Sequence, residues 1–435
     1  MEMAFNSFAP GHEIVKDKKV YKAVGIVDYE YNKQHIVVPK QGCLNVQENP
    51  LYRCDKCGYI TMTPHNSLNL CPICNTEMEQ MKVCTPLGFC VDYENKPKDF
   101  NGSFDWYSPN SEIKLDCEES LHLCPIVNNI QLRNNKIPSQ GLVHQINDNN
   151  GDFYTLGLND NNVWVSRNAY PPEVRDSMNL RYVKKLAFVI SKTTGVLTIE
   201  FNEIPSHICL NPLSDNIHSD AVKSAFLSWG HLVRRAVASY LDIDAAELEI
   251  GYDISTITKH PEIFIVEKLE NGSGYCNFLC GDKYRNVPYE AIIAPLIKGG
   301  NIYNQLCTDK HMTECVSSCY DCIRDYSNQL QHPFLNWRLG LDLAKLSENN
   351  DSDIDFQPDY WRLHIEGFVH NLLKNKDQIL ESIKNQYVIK DRNNNICGIL
   401  IHPLWSQDYV DELIKTSNLP YDIRRIALYD IEHSL

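Results

Sequence analysis

Two cysteine groups carry the chemistry that can be read from this chain. The first is Cys54-Asp-Lys-Cys57, followed after thirteen residues by Cys71-Pro-Ile-Cys74. Tetrahedral zinc takes four soft donors and each CxxC turn offers two thiolates, so the pair predicts a zinc ribbon. Gly58, directly after the second cysteine, permits the positive φ that a knuckle turn often needs. The second group is Cys315 to His332, CVSSCYDCIRDYSNQLQH, with Cys307 and His311 just upstream. Cys307, Cys315, Cys319 and Cys322 can make one tetrahedral site with the final CxxC as its tight knuckle. His311 and His332 are rival fourth ligands, since imidazole also suits zinc. A catalytic zinc keeps one position open and wants a carboxylate base nearby. Asp321 and Asp325 are close in sequence, yet four protein donors are available, so both sites read as closed, structural zinc.

The bulk of the chain narrows the setting. Its 435 residues allow two to four domains, and no apolar run approaches the length of a membrane span. The opening MEMAFNSFAPGHE lacks a secretory pattern, so the expectation is cytoplasmic. Disulfides do not persist there, and seventeen cysteines point to zinc rather than bridges. Cys84, Cys90, Cys117 and Cys124 lack two-residue spacing and read as core. A net charge of −15 excludes coating of nucleic acid by the whole surface. Local basic residues remain candidates for DNA contact: Arg181, Lys184, Lys185, Arg234 and Arg235. The last two read first as a solvated helix face.

These groups need elements to hold them. Val20–Val27 and His35–Val38 alternate like strands, and Lys185–Ile190 with Val196–Phe201 predict a hairpin about Gly195. From Asp220, apolar residues at Val222, Phe226, Trp229, Val233, Val237 and Tyr240 predict a helix with one buried face. Glu247–Tyr252 and Ile263–Glu267 read as strands. Asn271-Gly-Ser-Gly-Tyr275 then reads as a tight turn into a helix, since the Gly-Lys-Ser/Thr ending of a phosphate loop is missing. No GxxxxGK[ST] occurs anywhere, which argues against a Walker-type motor. His402, in the strand-like GILIH, reads as a core residue. The fold class expected is α+β: an N-terminal zinc ribbon with a β-rich layer, then a mixed α/β zinc-binding domain and a small C-terminal α/β unit. The expected divisions are 1–100, 101–212, 213–346 and 347–435.

Several separated stretches together resemble one family. They are Ala9-Pro10-Gly11 with Tyr21–Ile26, the CxxC pair, the helix SAFLSWGHLVRRAVASYLDIDAAELEIGY, the strand and turn IFIVEKLENGSGY, and CVSSCYDCIRDYSNQLQH. This set resembles the MrfA-type zinc-binding domain. That domain closes some superfamily-2 helicases and also occurs as the separate helicase partner DrmB of the DISARM anti-phage system and within Druantia helicases. The match covers roughly 9–90 and 219–340, and the motif carries onto Cys315, Cys319 and Cys322, with Cys307 favoured as the fourth. Ser273 departs from the glycine that many members have.

The resemblance implies a non-motor, non-enzymatic zinc protein that serves a superfamily-2 helicase on DNA in bacterial defence. Any ATP hydrolysis would come from that partner. The alternative is a nuclease whose magnesium is held by carboxylates of Glu247–Tyr252 and Ile263–Glu267, although no D…ExK pattern is present. A transcriptional zinc-ribbon adaptor fits the first cysteine group but not the second.

Overall fold

The computed structural model describes residues 5, 8–27, 29–31, 33–34, 37–39, 49–62, 69–92, 96–102, 111–116, 120–213, 216–281, 286–375, 378–383, 386–420 and 422–429. Mixed sheets and helices give an α+β fold. The chain divides into two compact units, 1–116 with 142–192 and 117–141 with 193–435, so the divisions expected at 100, 212 and 346 do not coincide with the observed ones.

The first unit is built on a large sheet whose main path begins with the hairpin Glu13–Lys16 and Lys19–Ile26. It continues through Trp164–Ser166, Tyr154–Leu158, Arg181–Thr193, Glu79–Cys84, Asn49–Arg53 and Ile60–Thr61. The last three carry the first cysteine group. Tyr154, Leu156, Leu158, Leu186 and Phe188 form a buried cluster on this sheet, and Cys84 joins it as expected for a core thiol. His144 ties strands together, facing Asp116 Oδ2 with Nε2 (3.0 Å) and Ser191 Oγ with Nδ1 (2.8 Å). That is the reverse of the ring's orientation in a serine hydrolase.

The second unit centres on one helix, Asn216–Leu241. Val222, Phe226, Trp229, Val233 and Val237 are all completely buried, as their spacing predicts, and each contributes about 1.5–3 kcal/mol by leaving water. Tyr240, placed by sequence on the same stripe, is exposed. The helix packs on the antiparallel strands Leu248–Ile254 and Pro261–Glu267 and on the helix Trp337–Glu348. Those strands belong to a five-stranded sheet in the order His122–Leu123, Ile130–Asn134, Val196–Phe201, Pro261–Glu267, Leu248–Ile254.

Three expectations are corrected here. The hairpin about Gly195 does not form, because Arg181–Thr193 and Val196–Phe201 belong to different sheets. Gly195 instead makes room for Glu267, whose Oε1 would lie 2.2 Å from any Cβ at that position. Cys124 is not a free core thiol but is disulfide-bonded to Cys280, with Cα atoms 5.8 Å apart; Cys117 lies outside the described residues. Finally, the C-terminal residues share the core of the region that carries the second cysteine group, where Trp337, Trp361 and Trp405 belong to one buried cluster. His402 is paired, donating from Nε2 to Asp342 Oδ2 (3.0 Å) while its Nδ1 accepts from the Leu404 N–H.

Candidate metal centres

The first centre forms where two strands end. Cys54 follows the strand Asn49–Arg53, and its N–H donates to the Tyr59 carbonyl (2.8 Å) while Gly58 N–H donates back to the Cys54 carbonyl (2.8 Å). The second knuckle repeats the pattern: Cys71 N–H to the Thr76 carbonyl (2.8 Å), and Asn75 N–H to the Cys71 carbonyl (3.0 Å). Gly58 has φ +73° and Asn75 has φ +58°, the same left-handed turn after each CxxC. Asparagine tolerates that region better than most side chains, so Asn75 is the counterpart of Gly58. The four sulfurs lie within 4.8 Å of one another, with Cys54–Cys74 at 3.3 Å and Cys57–Cys71 at 3.4 Å. Tetrahedral zinc with Zn–S bonds of about 2.3 Å separates its sulfurs by about 3.8 Å, so the quartet fits. Burial pushes the Cys57 and Cys71 thiols up; against burial, hydrogen bonds with Thr76 hold Cys74 down to about 6. Buried thiols that raise one another ionise together only around a cation.

The second centre consists of His311, Cys315, Cys319 and Cys322, again with donor atoms all within 4.8 Å. Thr308 caps the short helix Asp309–Glu314 by accepting from His311 N–H, which sets His311 and Cys315 four residues apart on one helical face. His311 Nδ1 donates to the Leu306 carbonyl (2.9 Å), leaving Nε2 free to ligate, 3.6 Å from Cys319 Sγ. Cys319 and Cys322 form the knuckle, with sulfurs 3.5 Å apart. A hydrogen bond with Cys315 is the largest influence holding Cys322 down, to about 4, and the same bond raises Cys315.

Cys307, favoured by sequence as the fourth donor, stands outside this quartet. It closes the preceding helix Asn301–Leu306, before the Thr308 cap turns the chain, and its half-buried thiol bonds with Tyr303 and is raised by burial to about 11. His332 is also elsewhere, its Nε2 bonding Asn328 Oδ1 (2.8 Å) and the Asp325 carbonyl (3.1 Å).

The remainder of the signature segment ties the centre to the long helix. Ser224 Oγ donates to the Phe334 carbonyl, and Ser228 Oγ accepts from Asn336 N–H (2.8 Å). His231 Nε2 donates to Gln331 Oε1 (2.6 Å), and its Nδ1 accepts from Asn328 Nδ2 (3.3 Å). Arg234 pairs with Asp325 (2.9 Å) and Arg235 donates to the Asp321 and Cys322 carbonyls (3.0 and 3.1 Å). Positions 224, 228, 231 and 235 fall on one stripe, a polar counterpart of the apolar one that sequence reasoning missed although its helical spacing was readable. Arg234 is buried and Arg235 is half-buried against the knuckle, so neither lies on a solvated face. On the other side, the buried Arg338 donates to the carbonyls of Val316, Met312 and Tyr360.

Burial lowers His231 from 6.5 to about 4. Between those values the unfolded chain binds a proton that the folded chain does not, so stability rises with pH and is lost as pH falls from 6.5 towards 4. That shift corresponds to about 3 kcal/mol. In His231→Gln the loss of stability between pH 7 and pH 5 should therefore be shallower, measured by urea unfolding with zinc content followed at each pH. An unchanged acid slope would refute this.

The strand carboxylates proposed for magnesium are engaged otherwise. Glu262 and Glu200 both pair with the buried Arg133. Glu267 accepts from the N–H groups of Ser273, Gly274 and Cys276, so the glycine turn encloses a carboxylate of its own chain and leads into the helix Tyr275–Leu279. Glu247 accepts from the Tyr275 hydroxyl (2.9 Å). Among the described residues, the two cysteine-bearing quartets are the groups placed to hold a metal. Arg181, Lys184 and Lys185 lie on the partly exposed end of the strand Arg181–Thr193.

No family model and no curated protein matches the chain. Among solved structures it is similar to the DUF1998 helicase MrfA bound to DNA, with 11% identity, 53% of this chain and 24% of that one covered, and a TM-score of 0.29. It is also similar to MrfA bound to DNA and AMPPNP, with 10% identity, 72% and 32% covered, and a TM-score of 0.23. The chain thus spans 24% to 32% of the length of the helicase chains it matches. Among the described residues, no helix is long and apolar enough to cross a membrane.

Proposed function

We propose that this chain is a zinc-stabilised, non-motor subunit of a helicase-containing bacterial anti-phage complex, which holds a superfamily-2 helicase and helps to engage or gate DNA. The observation that supports it best is the closed second centre. Four protein donors converge on one point, and the residues that follow, Asp325, Asn328 and Gln331, fasten the centre to the long helix. A metal held by four protein ligands shapes a surface rather than activating water. The zinc would be held by Cys54, Cys57, Cys71 and Cys74, and by His311, Cys315, Cys319 and Cys322. With no Walker motif in the chain, turnover of ATP falls to the partner.

Co-expression with any superfamily-2 helicase found encoded beside it tests the reading. A complex that survives gel filtration, together with an isolated chain that hydrolyses no ATP and cuts no DNA in magnesium, is expected. Magnesium-dependent cleavage by the purified chain, or a neighbouring helicase that never associates, would overturn it.

A further inference from the structure

The end of the strand Arg181–Thr193 departs from regular geometry. Leu156 pairs with Lys184 and Leu158 with Arg181, so Gly157 alone stands against two residues, Tyr182 and Val183. This is a β-bulge, the device by which a strand re-aims a side chain. Any Cβ at position 157 would lie 2.7 Å from Leu180 Cβ, so only glycine lets the bulged strand come this close. Tyr182 sits at φ +53°, uncommon for a bulky residue, and its surface is 71% exposed. A large aromatic held outward in a disfavoured backbone conformation is a feature whose purpose lies outside the core.

Basic residues flank it along the strand: Arg181 directly before it, and Lys184 and Lys185 two and three positions after. By register, Arg181 and Lys184 rise from one face and Lys185 from the other. Lys184 Nζ rests over the Trp164 ring (5.7 Å) and Lys185 Nζ over the Phe153 ring (5.0 Å). Arg181 is steadied by Asn162 Oδ1 (2.7 Å), and Arg175 by the Tyr170 and Asn168 carbonyls. Asn168 in turn bonds Thr155, the register partner of Lys185. Among the described residues, no carboxylate pairs with Arg181, Arg175 or Lys185. Residues 161–192 hold six basic side chains against two acidic ones, in a chain whose net charge is −15. A strip with this basic excess in an acidic protein is complementary to a polyanion.

We propose that this bulged strand end is a contact surface for single-stranded DNA, with Tyr182 as a platform on which a base stacks and Arg181, Lys184 and Lys185 as phosphate partners. Exposed aromatics flanked by cations suit single strands, whose bases are free to stack; a duplex offers the phosphates alone. The preference for DNA over other polyanions rests on the helicase reading above.

Fluorescence anisotropy with labelled oligo-dT, a blunt duplex and an oligo-glutamate peptide tests it. Tyr182→Ala should weaken oligo-dT binding by about tenfold and leave duplex binding unchanged, with Tyr182→Trp restoring it. The double variant Arg181→Ser/Lys185→Ser should weaken both and flatten the salt dependence. Tyr182→Asn, which suits a left-handed backbone, should weaken oligo-dT binding while Tm holds or rises, a split that a merely structural tyrosine would not give. Unchanged oligo-dT affinity in Tyr182→Ala, or an equal loss for oligo-glutamate, would overturn the proposal. Helicase co-purification of the same variants keeps the two readings apart. Tyr182-dependent oligo-dT binding by a chain that fails to hold the helicase would leave this surface standing and the subunit reading fallen.

Discussion

Cys319→Ser should purify with one zinc per chain where the parent holds two, and should be less stable by about 4 kcal/mol or more. Cys307→Ser should keep both metals. The contrast follows from the quartet His311, Cys315, Cys319 and Cys322, whose donor atoms converge while Cys307 bonds with Tyr303. His311→Ala completes the set, because it opens one coordination position and should weaken zinc retention first at low pH, where protons compete for the remaining thiolates. Metal analysis after dialysis, paired with chemical unfolding, reads all three. Zinc lost from Cys307→Ser but retained in His311→Ala would reverse the assignment.

Asp342→Ala should cost about 3–5 kcal/mol with zinc content unchanged. Asp342 is buried and accepts from the Tyr360 hydroxyl (2.8 Å), Trp361 Nε1 (2.9 Å) and His402 Nε2 (3.0 Å). Truncation leaves three buried donors without an acceptor. Since Asp342 lies on the helix Trp337–Glu348 and His402 follows the strand Ile396–Ile401, the same change should lower the melting of the second cysteine group and the C-terminal residues together. A loss below about 1 kcal/mol, or a separate early transition of the C-terminal residues in hydrogen exchange, would refute this.

What could be read beforehand was whatever depends on local spacing. The CxxC turns and, Tyr240 apart, the apolar stripe of the long helix follow from short-range periodicity and stand where their residues put them. The choice between Cys307 and His311 was also local, because Thr308 is a helix cap and a cap places the third residue after it on the first turn. That signal went unread. Other features were not in the local pattern at all. Cys124 and Cys280 are 156 residues apart, and no spacing rule joins them. The turn at Gly195 looked like a hairpin because two strands flank it; the two sheets to which they belong are set by partners far away in sequence. Arg234 and Arg235 looked solvated because charge usually is, whereas the carbonyls and the carboxylate that engage them come from the knuckle segment nearly ninety residues on.

The chain passes between its two units three times, after 116, 141 and 192. Neither unit can therefore be excised as one continuous fragment. A truncated chain begun at 213 would keep the second centre and the long helix, but it would lack Ile130–Asn134 and Val196–Phe201, which pair side by side in the five-stranded sheet, and would expose the edge of Pro261–Glu267. Such an unpaired edge invites self-association. During synthesis, the early strands of the second unit leave the ribosome before most of their sheet exists, and must wait for Pro261–Glu267. The first unit can close once residue 192 has emerged, so the first zinc can be taken up while the ligands of the second are still untranslated.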